Sequence, residues 1–101
     1  MKLVTFEVST PVGPFERLGA LSGKKIIDLN FAHAAMLKNG GHPAPQRLAD
    51  AVVPSEMLAL LDGGRESLDE AREALEFADR SRVTGPRGER LVYQADEVRM
   101  L

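Results

Sequence analysis

The segment Arg17–Leu29 reads RLGALSGKKIIDL and organises the rest of the chain around it. Apolar residues lie on both sides of Ser22-Gly23, a pair that can form a tight hairpin turn because glycine adopts a positive φ at little cost. The segment therefore predicts two antiparallel strands, at 17–21 and 25–29. Asp28 ends the second strand at a point where a helix can begin.

A third strand precedes this hairpin in the chain. Residues 2–8 alternate between two faces, with a period of two that is typical of a half-buried strand: Leu3, Thr5 and Glu7 against Val4, Phe6 and Val8. Residues 9–14 predict a loop, because proline lacks a ladder donor and glycine allows a sharp reversal. Three antiparallel strands would form a curled sheet that needs a cover on one face.

Two helices are predicted directly after the sheet. Asn30 or Asp28 can cap a helix over 31–38, and Asn39-Gly40 can end it with residues that tolerate left-handed geometry. A short helix is expected over 45–51, since proline suits the first helical turn. These helices would supply part of the cover.

Two further helices follow a break at Val52-Val53-Pro54. Ser55 predicts a cap for a helix over 56–62, which Gly63-Gly64 would end. Ser67 and Glu70 have the spacing of a capping box, which would start the next helix. On that helix, four apolar residues fall on one stripe at helical spacing: Leu68, Ala71, Leu75 and Ala78. Five polar residues face water: Asp69, Arg72, Glu73, Glu76 and Arg80.

The last part of the chain predicts a polar connection over 82–90 with a turn at 85–88, then a closing strand at 91–93. Residues 95–101 read as a chain that continues elsewhere. The whole pattern indicates α+β, with residues 1–101 forming a single domain: a small antiparallel sheet or hairpin covered by three to four short helices.

Composition narrows the class of protein. The chain has 101 residues, a formal charge of −2 and no cysteine, and its charges are mixed throughout. The charge balance gives no electrostatic basis for nucleic-acid binding. The absence of cysteine excludes disulfides and thiol chemistry. No apolar run approaches the roughly 18 residues of a membrane span, and the start is too polar for a signal peptide. We therefore expect a cytoplasmic protein with no membrane or nucleic-acid partner.

Individual polar residues do not form a catalytic constellation. His33 lies in the first helix and His42 in the connector after it, a separation that is not a metal-ligand spacing. We expect a surface or core-edge histidine in both cases. Asp28 could act as a base at the end of its strand, but its position favours a helix cap.

The fourth predicted helix carries an acidic face that could bind a cation: Glu66, Asp69, Glu70, Glu73 and Glu76. Arg65, Arg72 and Arg80 are interleaved with it, so a solvated face with helical ion pairs, each worth about 0.2–0.5 kcal/mol, is favoured. The segment 85–90 lacks the length and the Lys-Ser/Thr ending of a phosphate loop and predicts a plain turn. No catalytic, cofactor-binding or metal-ligating residue is therefore assigned.

Five pieces of the chain, taken in order, resemble the small N-terminal domain of a fumarylacetoacetate hydrolase family protein. They are Met1–Phe6, the hairpin Arg17–Leu21 with Ile26–Asn30, the helix Pro54–Gly64 ending in a glycine pair, the Ala/Glu/Arg-rich helix after it, and Asp96–Leu101. The last piece resembles the segment that enters the family's catalytic domain. The resemblance covers nearly the whole chain.

The resemblance implies an enzyme whose chemistry lies in a larger C-terminal domain. There, three acidic residues hold Mg²⁺ or Mn²⁺, and a His-Glu pair is implicated in activating water for hydrolysis, isomerisation, hydration or decarboxylation of acylpyruvate-like oxo-acids. None of those positions falls within residues 1–101, so the resemblance implies no activity and no cofactor for these residues. The implied partner is the protein's own catalytic domain, which would cover an apolar patch near the closing strand and 98–101.

A different class of function stays open beside this interpretation. The chain can be a stand-alone binding or oligomerisation module without enzymatic activity. In that case the edge of the strand at Lys2–Val8, or the final segment, would pair with another copy in a homo-oligomer.

Overall fold

The computed structural model describes all residues, Met1–Leu101, and confirms the α+β class with one antiparallel sheet and four helices. The strands are β1 (Lys2–Thr10), β2 (Gly13–Ser22), β3 (Lys25–Asp28), β4 (Val92–Gln94) and β5 (Arg99–Met100). The helices are α1 (Leu29–Asn39), α2 (Pro45–Val52), α3 (Met57–Asp62) and α4 (Gly64–Arg80), and a short 3-10 turn covers Ala95–Glu97.

The sheet is strongly curled. Its strand order is β4-β3-β2-β1-β5, yet the two edge strands, β4 and β5, are joined by only residues 95–98. Phe6 of β1 and Tyr93 of β4 would be about 14 Å apart in a flat sheet at roughly 4.8 Å per strand. Their ring centroids are 5.5 Å apart. The sheet therefore folds around the face that carries Phe6 and forms a partly closed barrel.

Gly19 of β2 allows this tight curl. A Cβ atom at this position would lie 2.7 Å from Ile26 Cγ2 and 2.8 Å from Phe6 Cε1, closer than packed carbon atoms come. Phe6 and Ile26 are fully buried and fill the inside of the curl. The glycine in the RLGAL segment thus has a packing role in addition to its place in a strand.

The helices cover the opposite face of β2 and β3 and form the rest of the core. One cluster joins Ile27 to α1 and α4 through Ala32, Ala35, Ala74, Phe77, Ala78 and Leu91. A second cluster joins Leu18 and Ala20 to Leu29, Val53, Leu60 and Ala71. Alanine dominates where α1 and α4 meet, and small side chains let helix axes approach closely. None of the helices has the length and apolar composition needed to cross a membrane.

Both hairpin turns differ from their predicted positions by small shifts. Ser22 pairs with Lys25, so the turn is Gly23-Lys24, and Gly23 adopts φ +62° at its first position. The predicted loop at 9–14 is mostly strand, because β1 and β2 extend to a turn at residues 11–12. The Thr10 hydroxyl donates to the Gly13 carbonyl at 2.6 Å and helps to close this turn.

Two predicted caps are corrected in detail. Asp28, not Asn30, caps α1 by accepting from the Phe31 N–H, and Gly41 adopts the positive φ that was expected at Asn39-Gly40. The α3 prediction is wrong at its cap, because Glu56 accepts from the Ala59 N–H at 2.6 Å. The Ser55 hydroxyl instead accepts a hydrogen bond from the Leu18 N–H of β2 at 3.0 Å, which ties this loop to the sheet.

The capping box predicted at Ser67–Glu70 is also wrong. Helix α4 already begins at Gly64, which adopts φ +67° directly after α3, so Ser67 lies buried inside the helix. The apolar stripe is confirmed at Ala71 and Ala78, but Leu68 and Leu75 are only half-buried, and Ala74 and Phe77 complete the buried face.

The final segment does not leave the domain as predicted. After the 3-10 turn at Ala95–Glu97 it forms β5, in which Arg99 and Met100 pair with Glu7 and Phe6 of β1. The Leu101 N–H continues the ladder by donating to the Thr5 carbonyl at 3.0 Å. Residues 99–101 thus occupy part of the β1 edge, one of the two segments that the oligomerisation alternative would pair with a second copy.

Candidate functional site

An ion pair at the end of the β2–β3 hairpin is the most organised polar feature of the chain. Arg17 Nε donates to Asp28 Oδ2 at 2.7 Å, and Arg17 Nη2 donates to Asp28 Oδ1 at 2.9 Å. The register pairs Gly19 with Asp28, so Arg17 reaches the carboxylate diagonally on the same face of the sheet. This two-pronged geometry is the strongest that an arginine and a carboxylate can adopt.

Asp28 is 1% exposed and also holds the start of α1, since its Oδ1 accepts from the Phe31 N–H at 3.1 Å. Burial raises the pKa of the Asp28 carboxyl, while the hydrogen bonds and charge of Arg17 oppose that rise. The cap interpretation is confirmed. Both carboxylate oxygens are engaged by Arg17, so neither is free to act as a base.

Asn30 extends this polar network to α2. Its Nδ2 donates to the Val53 carbonyl at 2.9 Å and to Asp50 Oδ1 at 3.0 Å. Its Oδ1 accepts from Gln46 Nε2 at 2.9 Å and from Arg17 at 3.3 Å. The network therefore joins the sheet, α1 and α2 through polar groups of which only Asp50 is exposed, and this fixes how these elements meet.

A cleft of about 380 Å³ opens at the end of the curled sheet beside this network. We name it the aromatic cleft after three of its lining side chains, Phe15, Phe31 and Tyr93. The Arg17 guanidinium stacks over Phe31 at 3.9 Å from the ring centroid, and that of Arg90 lies over Tyr93 at 4.5 Å. The mouth of a barrel is a common place for a binding site.

The arginines of the aromatic cleft are held in place by other contacts. Arg90 Nε donates to the Val92 carbonyl at 2.7 Å, and its guanidinium pairs with Glu97. Burial raises the pKa of the Tyr93 hydroxyl, so this group stays protonated and can donate a hydrogen bond. Flat aromatic faces with fixed polar edges are suited to binding an apolar or planar group.

The structure places the two histidines apart. His33 is 2% exposed, deeper than the core-edge position expected, and its Nδ1 lies 3.9 Å from Glu70 Oε2 with no hydrogen-bond partner. Burial lowers the pKa of His33. His42 lies in the connector, where its Nδ1 accepts from the Ala44 N–H at 3.0 Å. No group of three or more acidic or histidine side chains converges, so the residues present do not fit a Mg²⁺ or Mn²⁺ site.

The acidic face of α4 is solvated as predicted, with Glu66, Asp69, Glu73 and Glu76 exposed. The expected ion pairs with Arg65, Arg72 and Arg80 are wrong, because none of these arginines lies within 4.0 Å of a carboxylate. Such exposed pairs gain little against the entropy of two long side chains. Residues 85–88 form the predicted plain turn, closed by the Gly88 N–H to the Gly85 carbonyl at 3.0 Å.

The sequence pattern does not identify Arg17 and Arg90, the two stacked arginines, as parts of a site. The sequence places Arg17 and Asp28 on the two strands of one hairpin, but their contact depends on the register of those strands. Arg90 lies in a polar connection with no periodic pattern, so no local signal marks it. Comparison with known proteins found no matching family model, no matching curated protein and no matching solved structure.

Proposed function

We propose that the chain is the non-catalytic N-terminal domain of a cytoplasmic, metal-dependent enzyme of the fumarylacetoacetate hydrolase family. Its role would be to pack on the catalytic domain of the same protein. The resemblance of five sequence pieces in order supports this proposal. The β2–β3 hairpin that leads directly into the capped helix α1 agrees with the order of elements that the resemblance implies.

The observation that carries the proposal is the apolar surface at the end of the chain. Met100 of β5 is 45% exposed, and the outer edge of β5 has no strand partner. A second domain that covers such exposed apolar side chains would remove them from water. This burial stabilises the packed state by about 25 cal/mol per Å² of apolar area. A catalytic domain packed there would bury this surface.

The proposal assigns the chemistry to residues outside this chain. The family's catalytic domain would hold Mg²⁺ or Mn²⁺ with its own acidic residues and act on acylpyruvate-like oxo-acids. Within residues 1–101, the aromatic cleft would then border the catalytic domain or the entrance to its active site. No catalytic step is assigned to Arg17, Asp28 or Tyr93, whose contacts serve the fold and the cleft.

Two measurements test this proposal. The purified chain, assayed with acylpyruvates and Mg²⁺, is expected to show no turnover, and turnover would contradict the proposal.

In the longer protein, Met100→Lys should lower the melting temperature, because it places a charge in the interface, while Val83→Lys should not. Val83 is the matched control, since it is also an exposed apolar residue but lies in the connection after α4. Equal effects of both substitutions would contradict docking at β5.

The second candidate is a stand-alone binding or oligomerisation module. The outer edge of β5 has no strand partner, and an unpaired edge with exposed apolar side chains can pair with another copy. Sedimentation of the purified chain distinguishes this candidate from the first. A dimer that Met100→Lys dissociates would support the module, and a monomer at all concentrations would contradict it.

A further inference from the structure

A second cavity, separate from the aromatic cleft, has an unusual charge distribution. It has a volume of about 530 Å³ and lies where the end of α1, the start of α2 and the turn at 85–88 meet. Four basic side chains line it, and no carboxylate does: Lys38, His42, Arg47 and Arg87. We call it the basic cavity. These four side chains come from separate parts of the chain, so the fold brings them together.

The backbone adds hydrogen-bond donors to the same place. Helix α2 begins at Pro45, and its cap residue Ala44 offers no side-chain acceptor. The N–H groups of Gln46 and Arg47 therefore have no partner within the helix, and the helix dipole adds partial positive charge there. The Ala44 N–H donates to His42 Nδ1 at 3.0 Å, so the neutral imidazole carries its proton on Nε2 as a further donor.

Two carboxylates that bond to residues lining the basic cavity are engaged by hydrogen bonds. Glu89 Oε1 accepts from the Arg87 N–H at 2.7 Å inside the turn. Asp50 Oδ1 accepts from Gln46 Nε2 at 2.8 Å and from Asn30. Lys38 Nζ donates to the Pro86 carbonyl at 3.3 Å, which ties the turn to the end of α1. Neither carboxylate lines the cavity, so its positive charge is not neutralised from within.

We propose that the basic cavity binds the phosphoryl group of inorganic phosphate or of a small phosphate ester. A dianion matches several converging cations better than a monoanion does, and guanidinium groups bind phosphate oxygens in pairs. The volume exceeds what one phosphate needs and leaves room for a small organic part, and Pro43, Pro45 and Pro86 also line the cavity. This site is independent of the proposed packing on a catalytic domain.

Amide NMR of the ¹⁵N-labelled chain tests the site directly. Inorganic phosphate and ribose 5-phosphate are titrated separately, each against sodium chloride at the same ionic strength. We expect saturable shifts at the amides of Gln46, Arg47 and Arg87 with phosphate but not with chloride. Tighter binding of the ester would identify an ester as the ligand, and equal binding would identify phosphate. Shifts that chloride reproduces, or no saturation, would overturn the proposal.

A pair of charge-matched variants separates the site from general electrostatics. Arg47→Gln with Arg87→Gln should weaken phosphate binding by at least about tenfold, roughly 1.4 kcal/mol. Arg65→Gln with Arg72→Gln removes the same charge from α4, where neither residue lines the cavity, and should change affinity less than about twofold. All four arginines are exposed, so both variants should keep the native amide spectrum. Equal losses in the two variants would overturn the proposal.

Discussion

At the residue scale, Asp28 connects three parts of the molecule. Its carboxylate holds Arg17 of β2 with two hydrogen bonds, caps α1 at Phe31, and ends β3. A buried pair of this kind contributes little net stability compared with apolar residues, but removal of one partner leaves the other charge without compensation. Asp28 is therefore a position where a small change should have a large effect.

We predict that Asp28→Ala lowers the free energy of unfolding by about 3–5 kcal/mol, because it leaves Arg17 unpaired and removes the cap of α1. Asp28→Asn should lose less, since its side-chain oxygen can still accept from Phe31. Urea unfolding measures both, and Asp69→Ala, on the exposed face of α4, is the control with an expected change within about 0.5 kcal/mol. A loss below about 1 kcal/mol for Asp28→Ala would contradict the role assigned to the pair.

The sequence supports the cap at Asp28 but not its pairing with Arg17. Capping is local, and the Asp before an apolar helical segment is enough to predict it. The pairing depends on the register of β2 and β3, which the turn sets. Placing the turn at Ser22-Gly23 instead of Gly23-Lys24 moves every partner along the strand, so the contact could not be fixed from local pattern alone.

His33 gives the chain a predictable pH dependence. Burial lowers its folded-state pKa below the usual value of 6.5, so the unfolded chain takes up this proton more readily. The stabilising contribution is complete above about pH 6.5 and is lost as the pH falls toward the folded pKa. We predict that His33→Gln flattens the fall in unfolding free energy as the pH drops below about 6.5. Parallel pH curves for wild type and His33→Gln would contradict this.

At the element scale, the curl of the sheet depends on Gly19. An added methyl group would meet Ile26, Phe6 and the Ile27 carbonyl at 2.7–2.8 Å, so Gly19→Ala should destabilise the fold by about 1–3 kcal/mol. Gly40→Ala is the matched control, because its Cβ would meet only ordinary contacts at 3.6 and 3.7 Å. Thermal unfolding of the Gly19→Ala and Gly40→Ala variants measures this difference. Similar melting temperatures would contradict the packing role of Gly19.

Helix α3, which has six residues, contains a buried and an exposed leucine that can be compared. Leu60 is fully buried between the sheet and α4, whereas Leu58 is 69% exposed. We predict that Leu60→Ala costs about 2–5 kcal/mol through lost burial and the cavity left behind. Leu58→Ala should cost less than about 0.5 kcal/mol, as is usual on the surface. Denaturant unfolding at equal m-values checks both, and equal costs would mean that α3 does not pack as described.

Elements with a long periodic pattern could be predicted from the sequence, and short or competing signals could not. The apolar residues of strand β1 recur with a period of two, and those of helix α4 with a period of 3.6. These periods arise because each element buries one face. Strand β5 has two residues, too few for any period, and its place depends on the curl that brings it beside β1. Ser55 and Ser67 are good caps by type, but tertiary contacts use them elsewhere.

At the scale of the whole molecule, the curl of the sheet and the helices place the core, the aromatic cleft and the basic cavity in different regions. Helices cover one face of the sheet, the aromatic cleft opens at one end of the curl, and the basic cavity lies beyond α1. The polar groups of Arg17, Asp28 and Asn30 stabilise the junction of sheet and helices.

We propose that these residues are one domain of a larger enzyme whose reacting groups lie elsewhere. Intact-mass measurement of the native protein, isolated from its source cells with an antibody against this chain, tests the claim most directly. We expect a mass well above 11.0 kDa, with residues 1–101 at the N-terminus of a chain that also contains a metal-binding domain. A native mass of 11.0 kDa would contradict it.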